Sequence, residues 1–415
     1  MIQKILKRFL RKTHVWRHVG FAELAELYIS RMLRVLAMQL MIGFTTIYLY
    51  QLGYSLLFII LAWLAYFIIR FLYTPLVAIT IARYGPKHGT LISNITLIIG
   101  TMGIILVPQY GTASLLLYLI FASYSRSLYD VCYLVEFSKV KHIHHAGKEI
   151  GFMQIVERVM GIASPIIGGL IALWFGPQAM LVFGAFLMVI AAAPLFFTAE
   201  PVKVQQRITL RHFNVRSTYR AMIANIGIGV DNNLTGVVWN TFVGIIILNG
   251  QNNAVYLQLG GLMSVSVIAS MVAAYWYGKL VDRYHGKALL YTGTIGNTLL
   301  HMLRPFIGSP LQVGGANVMN EAVTTAYTLP ATRSIFEVAD GLPGYRIVFM
   351  AVMSGTMVLG DIIVMAVLAL FLLVYDDKTA MQYTFWVLGP AILLISLHAH
   401  TLYKRGIFTR FIHRV

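Results

Sequence analysis

The chain has 415 residues, 58% hydrophobic and 11% charged, with a formal net charge of +17 and a mean hydropathy of +0.75. Soluble domains carry about 25% charged residues, so this composition excludes one large water-soluble core and points to membrane helices. A single cysteine, Cys132, excludes a disulfide framework and a cysteine-built metal centre, and no GxxxxGKS/T run offers a nucleotide-hydrolysing phosphate loop.

Residues 1–20 open the chain with Ile2, Ile5, Leu6, Phe9 and Leu10 at helical spacing and Lys4, Lys7, Arg8, Arg11 and Lys12 between them. That pattern predicts a basic amphipathic helix lying on an anionic leaflet. It lacks the continuous apolar stretch and small-residue cleavage site of a secretory signal. Twelve apolar segments follow, at 21–50, 53–82, 88–107, 112–137, 149–173, 177–198, 221–248, 254–278, 287–306, 312–332, 345–374 and 380–403. Each is long enough to span a bilayer, and those longer than about 25 residues need tilt or protrusion.

Placement of charge tests this map. With the N-terminus cytoplasmic, 25 of the 32 Lys and Arg fall in inside segments, two (Arg304 and Lys378) in outside loops and five within spans. Such asymmetry is what orientation in a membrane requires. It explains the positive charge without a nucleic-acid partner and places both termini on the cytoplasmic side of the cell membrane. His142, His144 and His145 fall in one of these basic loops, where solvation rather than metal binding is expected. Asn94 and Asn233 open N-x-T patterns, but both lie within spans, out of reach of glycosylation.

The long basic stretch 200–220 divides the chain into a bundle at 21–199 and another at 221–403, leaving a basic tail at 404–415. The two halves carry matching charge knots. "ITIARYGPKHGTLIS" (79–93) aligns with "YWYGKLVDRYHGKALLY" (275–291) at an offset of 200, pairing Arg83 with Arg283, Tyr84 with Tyr284 and Lys87 with Lys287. The sequence therefore reads as an all-α integral membrane protein with twelve transmembrane helices in two pseudo-symmetric six-helix bundles.

Ionisable groups inside spans cost on the order of 3 kcal/mol each at mid-depth. The first half holds Arg31, Arg34, Arg70, Arg126, Asp130, Glu157 and Arg158, an excess of positive charge that Glu136 reduces. The second half is acidic and amide-rich. Its first helix carries Asp231, Asn232, Asn233, Trp239 and Asn240. Its fourth carries Asn317, Asn320, Glu321, Thr324 and Thr328, and its fifth carries Asp361. A guanidinium fork suits carboxylate or phosphate. Proton coupling needs a carboxyl at depth, for which Asp231, Glu321 and Asp361 qualify. The structural alternative is that these charges pair with each other and hold the helices together.

The charge knots resemble the signature of the major facilitator superfamily, roughly G-x-x-x-D-R-x-G-R-R/K. Gly278, Asp282, Arg283, Gly286 and Lys287 fit it, whereas the first copy has Ala82 in place of the Asp and Pro86 in the loop. A second family signature, G-P-x-x-G-G in helix 5, is matched by Pro165, Gly168 and Gly169 with Ser164 where its first Gly belongs. The resemblance implies a transporter, not an enzyme, with a cavity lined by helices 1, 4, 7 and 10. Carried over, the lining is Arg34, Arg126, Asp130, Asp231, Asn232, Trp239, Asn317 and Glu321. It further implies ion-pair latches at the cytoplasmic helix ends, Arg83–Glu136, Arg283–Glu337 and Asp282–Arg333. Such pairs are weak enough when exposed to break and re-form.

The expected function is secondary active transport of a small solute by alternating access, coupled to protons, by a monomer surrounded by lipid and without cofactor or metal. Within that class, export of amphipathic compounds competes with transport of an organic anion. The partial helix 5 signature leans to export and the excess of buried Arg to anions. The alternative class is a non-transporting receptor or lipid-handling protein on the same fold.

Overall fold

A computed structural model of the chain describes residues 21–140, 146–196, 208, 215–250, 252–283, 285–340, 342 and 345–403. The basic segment 1–20, the histidines at 142–145, most of the linker and the tail lie outside the described residues, as do the side chains of Glu136, Glu157 and Arg158.

The described residues form twelve helical rods and no strand. They are α1 (Phe21–Gln51), α2 (Leu56–Leu72, continued by Thr74–Tyr84), α3 (Pro86–Ile105), α4 (Thr112–Val140), α5 (Ala146–Phe175) and α6 (Pro177–Ala192). The second half has α7 (Val215–Asn233, continued to Ile247), α8 (Ala254–Asp282), α9 (Gly286–Leu303), α10 (Pro310–Asp340), α11 (Arg346–Leu372) and α12 (Asp377–Leu388, continued to His400). Each rod coincides with one of the twelve apolar segments.

Local sequence explains the turns and irregularities. Gly85 and Gly176 have φ of +86° and +84°, a region open to glycine, and each precedes a proline at the first position of the next helix. Proline needs no hydrogen-bond partner there, so Gly-Pro ends α2 and α5 and starts α3 and α6. The pyrrolidine of Pro75 interrupts α2, whose two parts bend by 47°. Beyond Asn233, α7 widens into two π-helical stretches, Leu234–Trp239 and Phe242–Ile247, a distortion frequent at functional sites. The Asp376 carboxylate accepts from the Thr379 N–H at 3.2 Å and caps α12, and hydrogen bonding from the Thr379 side chain and then its N–H holds the carboxyl below the usual range.

Among the described residues, four helices are long and apolar enough to cross a membrane on their own, and α2 makes a fifth if its bent parts are one span. Several others, α4, α7 and α10 among them, carry polar groups that turn inward and find partners in the protein, as the bilayer demands.

The helix pairings repeat at an offset of six. In the first half α1 packs on α5 and α6, α2 on α4, and α3 on α4 and α6. In the second, α7 packs on α11 and α12, α8 on α10, and α9 on α10 and α12. The halves meet through α5 on α8 and α2 on α11, two contacts that the same operation exchanges. This is the twofold kinship that a duplicated bundle requires.

The α5–α8 contact is backbone against backbone. A Cβ on Gly169 would lie 2.7 Å from the Leu257 Cα, and one on Gly260 would strike the Pro165 carbonyl. Pro165, Gly168 and Gly169 thus act as a small-residue surface for close helix approach, with Gly168 facing Leu40 and Phe44 of α1. At the end of the molecule away from the basic knots, Gln51 closes the seam. Its Nε2 donates to the Gly250 and Asn252 carbonyls at 3.1 and 3.2 Å, and the Tyr256 hydroxyl donates to its Oε1 at 2.8 Å. Phe44 meets the Tyr256 ring edge-on at 5.4 Å.

Enlarging the seam glycine separates close packing from mere apolarity. Gly169→Leu should cost ~1–3 kcal/mol through overpacking and lower the thermal midpoint of the purified protein by several degrees. Gly315→Leu, which meets nothing within 4 Å, should leave it unchanged.

Candidate functional site

Arg34 on α1 is wholly buried, 1% exposed. Its Nη1 donates to Ser93 Oγ at 3.1 Å and to Asn94 Oδ1, and its Nη2 donates to Ser125 Oγ at 3.2 Å. Ser93 and Ser125 give their own hydroxyl hydrogens to the Thr90 and Ser93 carbonyls at 2.6 Å, so both oxygens are committed as acceptors toward the guanidinium. Tyr129 covers one face, its ring centroid 3.8 Å from Cζ. One turn away, Arg31 lies over Tyr133 at 3.8 Å and Tyr129 at 5.0 Å. Among the described residues every hydrogen-bond partner of Arg34 is uncharged, an unusual state for a buried cation.

An ion chain runs beside it. Arg126 Nε and Arg70 Nη2 both donate to Asp130 Oδ2, at 3.0 and 2.8 Å. Arg70 Nη1 continues to Asp361 Oδ2 at 3.5 Å, and the Ser127 hydroxyl donates to the Arg70 carbonyl at 3.2 Å. Arg70 to Asp361 is the one ion pair between described residues that crosses from one half to the other. Arg126 keeps 41% of its side chain exposed, whereas Arg70 is 5% exposed.

Between the halves lies a cavity of about 450 Å³, within the range of small-molecule sites. The first half contributes Arg31, Arg34, Gln39, Arg126, Tyr129 and Asp130 to its lining, and the second half contributes Asn232 and Glu321. The structure therefore brings together five of the eight residues expected there: Arg34, Arg126, Asp130, Asn232 and Glu321.

Asp231, Trp239 and Asn317 do not line this cavity, which corrects the expectation for those three. Asp231 and Trp239 of α7 and Asn317 of α10 find their partners inside the second bundle instead. Trp239, 1% exposed, donates its indole N–H to Asn317 Oδ1 at 2.7 Å. Asp231 accepts from Asn297 Nδ2 and His301 Nε2, each at 2.7 Å, and from the Tyr327 hydroxyl. Arg304, 0% exposed, reaches His301 Nδ1 at 3.0 Å, Thr235 Oγ1 at 3.2 Å and Asn320 Oδ1 at 2.8 Å. A guanidinium only donates, so His301 Nδ1 accepts and its hydrogen sits on Nε2, aimed at Asp231. Arg304, placed in an outer loop by hydropathy, is thus a buried counter-charge. Arg304 and the roles of Asn297 and Tyr327 were not foreseen. The spacing of His301 and Arg304, three apart on one helix face, was the available signal.

At the basic end, the second knot joins neighbours within its own half. Arg333 donates to Glu337 Oε1 at 3.0 Å, to the Val281 carbonyl at 3.2 Å and to Asp282 Oδ1 at 3.4 Å. Glu337 Oε2 accepts from the Tyr403 N–H at 2.7 Å. The expected Arg283–Glu337 pair is not formed: Arg283 is exposed and Glu337 is taken by Arg333, four residues away on the same helix. Gly278 is buried on α8. Arg83 is exposed, 5.5 Å from the Tyr84 ring centroid, and its expected partner Glu136 has no described side chain.

Twelve helices in two halves related by a twofold, meeting around a charged cavity, define a membrane transporter. The chain belongs to the Major Facilitator Superfamily, whose family model matches residues 27–314. A relative from Lactococcus lactis subsp. lactis (strain IL1403), named as a homolog of the multi-drug resistance efflux pump PmrA, is 24% identical over 161 residues. That match covers 37% of this chain and 40% of the relative. Among solved structures, a bacterial homologue of the iron transporter ferroportin in an outward-facing state superposes with a TM-score of 0.67 at 13% identity, over 94% of this chain and 99% of that one. A D-xylose-proton symporter gives 0.68 at 11% identity, over 93% and 98%. The human organic anion transporter MFSD10 (TETRAN) gives 0.66 at 13% identity, over 92% and 100%. At these identities the superpositions speak to fold alone.

The buried network makes a direct prediction. Arg304→Leu leaves Asp231 without its counter-charge in a dry site and should cost ~3–5 kcal/mol, seen as a large drop in thermal midpoint. Adding Asp231→Asn to it should recover a substantial part of the loss.

Proposed function

We propose that this chain is a secondary transporter that moves small organic anions, amphipathic ones included, by alternating access. The observation that carries this reading is the excess of guanidinium over carboxylate groups in the cavity lining. Arg31, Arg34 and Arg126 line one wall, and among the described residues Arg34 has only uncharged hydrogen-bond partners. A cavity so built lowers the cost of dehydrating an anion. The names of two similar proteins, a multi-drug efflux pump homolog and an organic anion transporter, agree with an amphipathic or anionic cargo.

The two halves rock about the seam, and the Gln51 clasp and the contacts of the basic knots alternate in closing its ends. In the orientation set by the positive charges, with both termini cytoplasmic in the cell membrane, the clasp is the outer closure. Of the three deep carboxyls, Glu321 is the proton-coupling choice, because it alone lines the cavity. Asp231 is enclosed by donors and Asp361 faces Arg70.

Proteoliposomes test this. Labelled organic anions should enter or leave against a set pH gradient, and neutral analogues of equal size should not. Arg126→Gln should reduce anion flux about tenfold or more with the protein still folded. Glu321→Gln should remove the dependence on the pH gradient while anion exchange persists. Flux of anions and neutral analogues at equal rates would refute the reading.

A further inference from the structure

Arg34 carries five N–H groups in a rigid plane. Nη1 donates to Ser93 and Asn94, which takes up both of its hydrogens, and Nη2 donates one of its two to Ser125. Ser125 donates to the Ser93 carbonyl, which ties the two serines together. The Nε hydrogen and the second Nη2 hydrogen make no hydrogen bond to a described residue, and Arg34, although only 1% exposed, lines the cavity. Its plane is fixed by the Tyr129 ring at 3.8 Å. Two parallel N–H groups in one plane match two oxygens in one plane.

We infer that the Nε–Nη2 edge of Arg34 is a bidentate carboxylate site, and that the cargo is a monocarboxylate. This rests on the reading of the cavity as the transport site. A second negative charge is disfavoured because Asp130 and Glu321 also line the space. Asn232 and Glu321, from the second half, bring acceptor oxygens to the lining. Arg126, already held at Nε by Asp130, contributes charge while Arg34 fixes the orientation.

Asn94 supplies the decisive variant. Its Oδ1 accepts from Arg34 Nη1, so Asn94→Asp would place a carboxylate on the guanidinium with almost no change of shape. The built-in charge would neutralise Arg34 and compete with cargo, while the fold gains a buried ion pair. Purified protein in lipid nanodiscs would be titrated with labelled octanoate and benzoate, then with benzamide and phenylphosphonate as competitors. Saturable carboxylate binding is expected, with no competition from benzamide and weaker competition from phenylphosphonate. Asn94→Asp should keep or raise the thermal midpoint and weaken carboxylate binding at least tenfold, and Arg34→Gln should also weaken it.

The inference fails if neither carboxylate binds saturably, if benzamide or phenylphosphonate competes equally well, or if folded Asn94→Asp binds like the parent. Liposome flux separates this from the broader reading. Carboxylate binding without flux would keep the site and sink the transport reading. Flux of anions with no preference for carboxylates would do the reverse.

Discussion

A guanidinium inside a bilayer must be answered by the protein around it, and the manner of the answer distinguishes the parts of this molecule. Arg304 is answered through His301, whose other nitrogen meets Asp231, and the result is an enclosed neutral assembly that ties α7, α9 and α10. Arg70 is answered by two carboxylates, one from each half. Arg34 is answered by two hydroxyls, an amide and a ring, none of which carries charge. The first arrangement is a fastening, the second a link across the seam, and the third leaves positive potential beside an open space.

The two most extensive contacts between the halves are physically unlike. The α5–α8 contact brings backbones together at Gly169 and Gly260, and its strength is close van der Waals approach. The α2–α11 contact includes a charged pair at 3.5 Å beside the bend in α2. Asp130 joins this pair to Arg126, whose side chain reaches the cavity. Cavity and seam therefore share one chain of ions rather than being separate features.

Much of this architecture is written in residue order. Apolar run length, the Gly-Pro turns at 85–86 and 176–177 and the charge knots spaced by 200 residues mark twelve helices in two related halves, because each depends on local or periodic properties. The N-terminal wall of the cavity was equally legible, since Arg34 and Arg126 stand out as charges within apolar runs. The C-terminal wall was not. Asp231 and Asn232 are adjacent in sequence, yet one faces the bundle and the other the cavity, and a π-helical stretch begins two residues on. Trp239 and Asn317 look like cargo contacts until the indole is seen to donate to the amide. Arg304 sits where an apolar run ends beside Pro305, so hydropathy assigns it to water; only tertiary contact reveals the pocket of polar side chains that receives it. The Arg283–Glu337 expectation failed because an i,i+4 neighbour, Arg333, had prior claim on the same carboxylate.

The Gln51 clasp has a consequence for how the two ends of the molecule respond to their surroundings. Its bonds join an amide to two carbonyls and a phenol, all neutral groups. Parting them exchanges protein hydrogen bonds for bonds to water, and no charge is separated. Dissolved ions have little to screen there, and acidity within the physiological range alters none of the partners. The opposite end, with Arg333 between Asp282 and Glu337, is built from full charges. Ionic strength therefore bears on the Arg333 contacts and not on the clasp, so that salt loosens the two closures of the seam unequally.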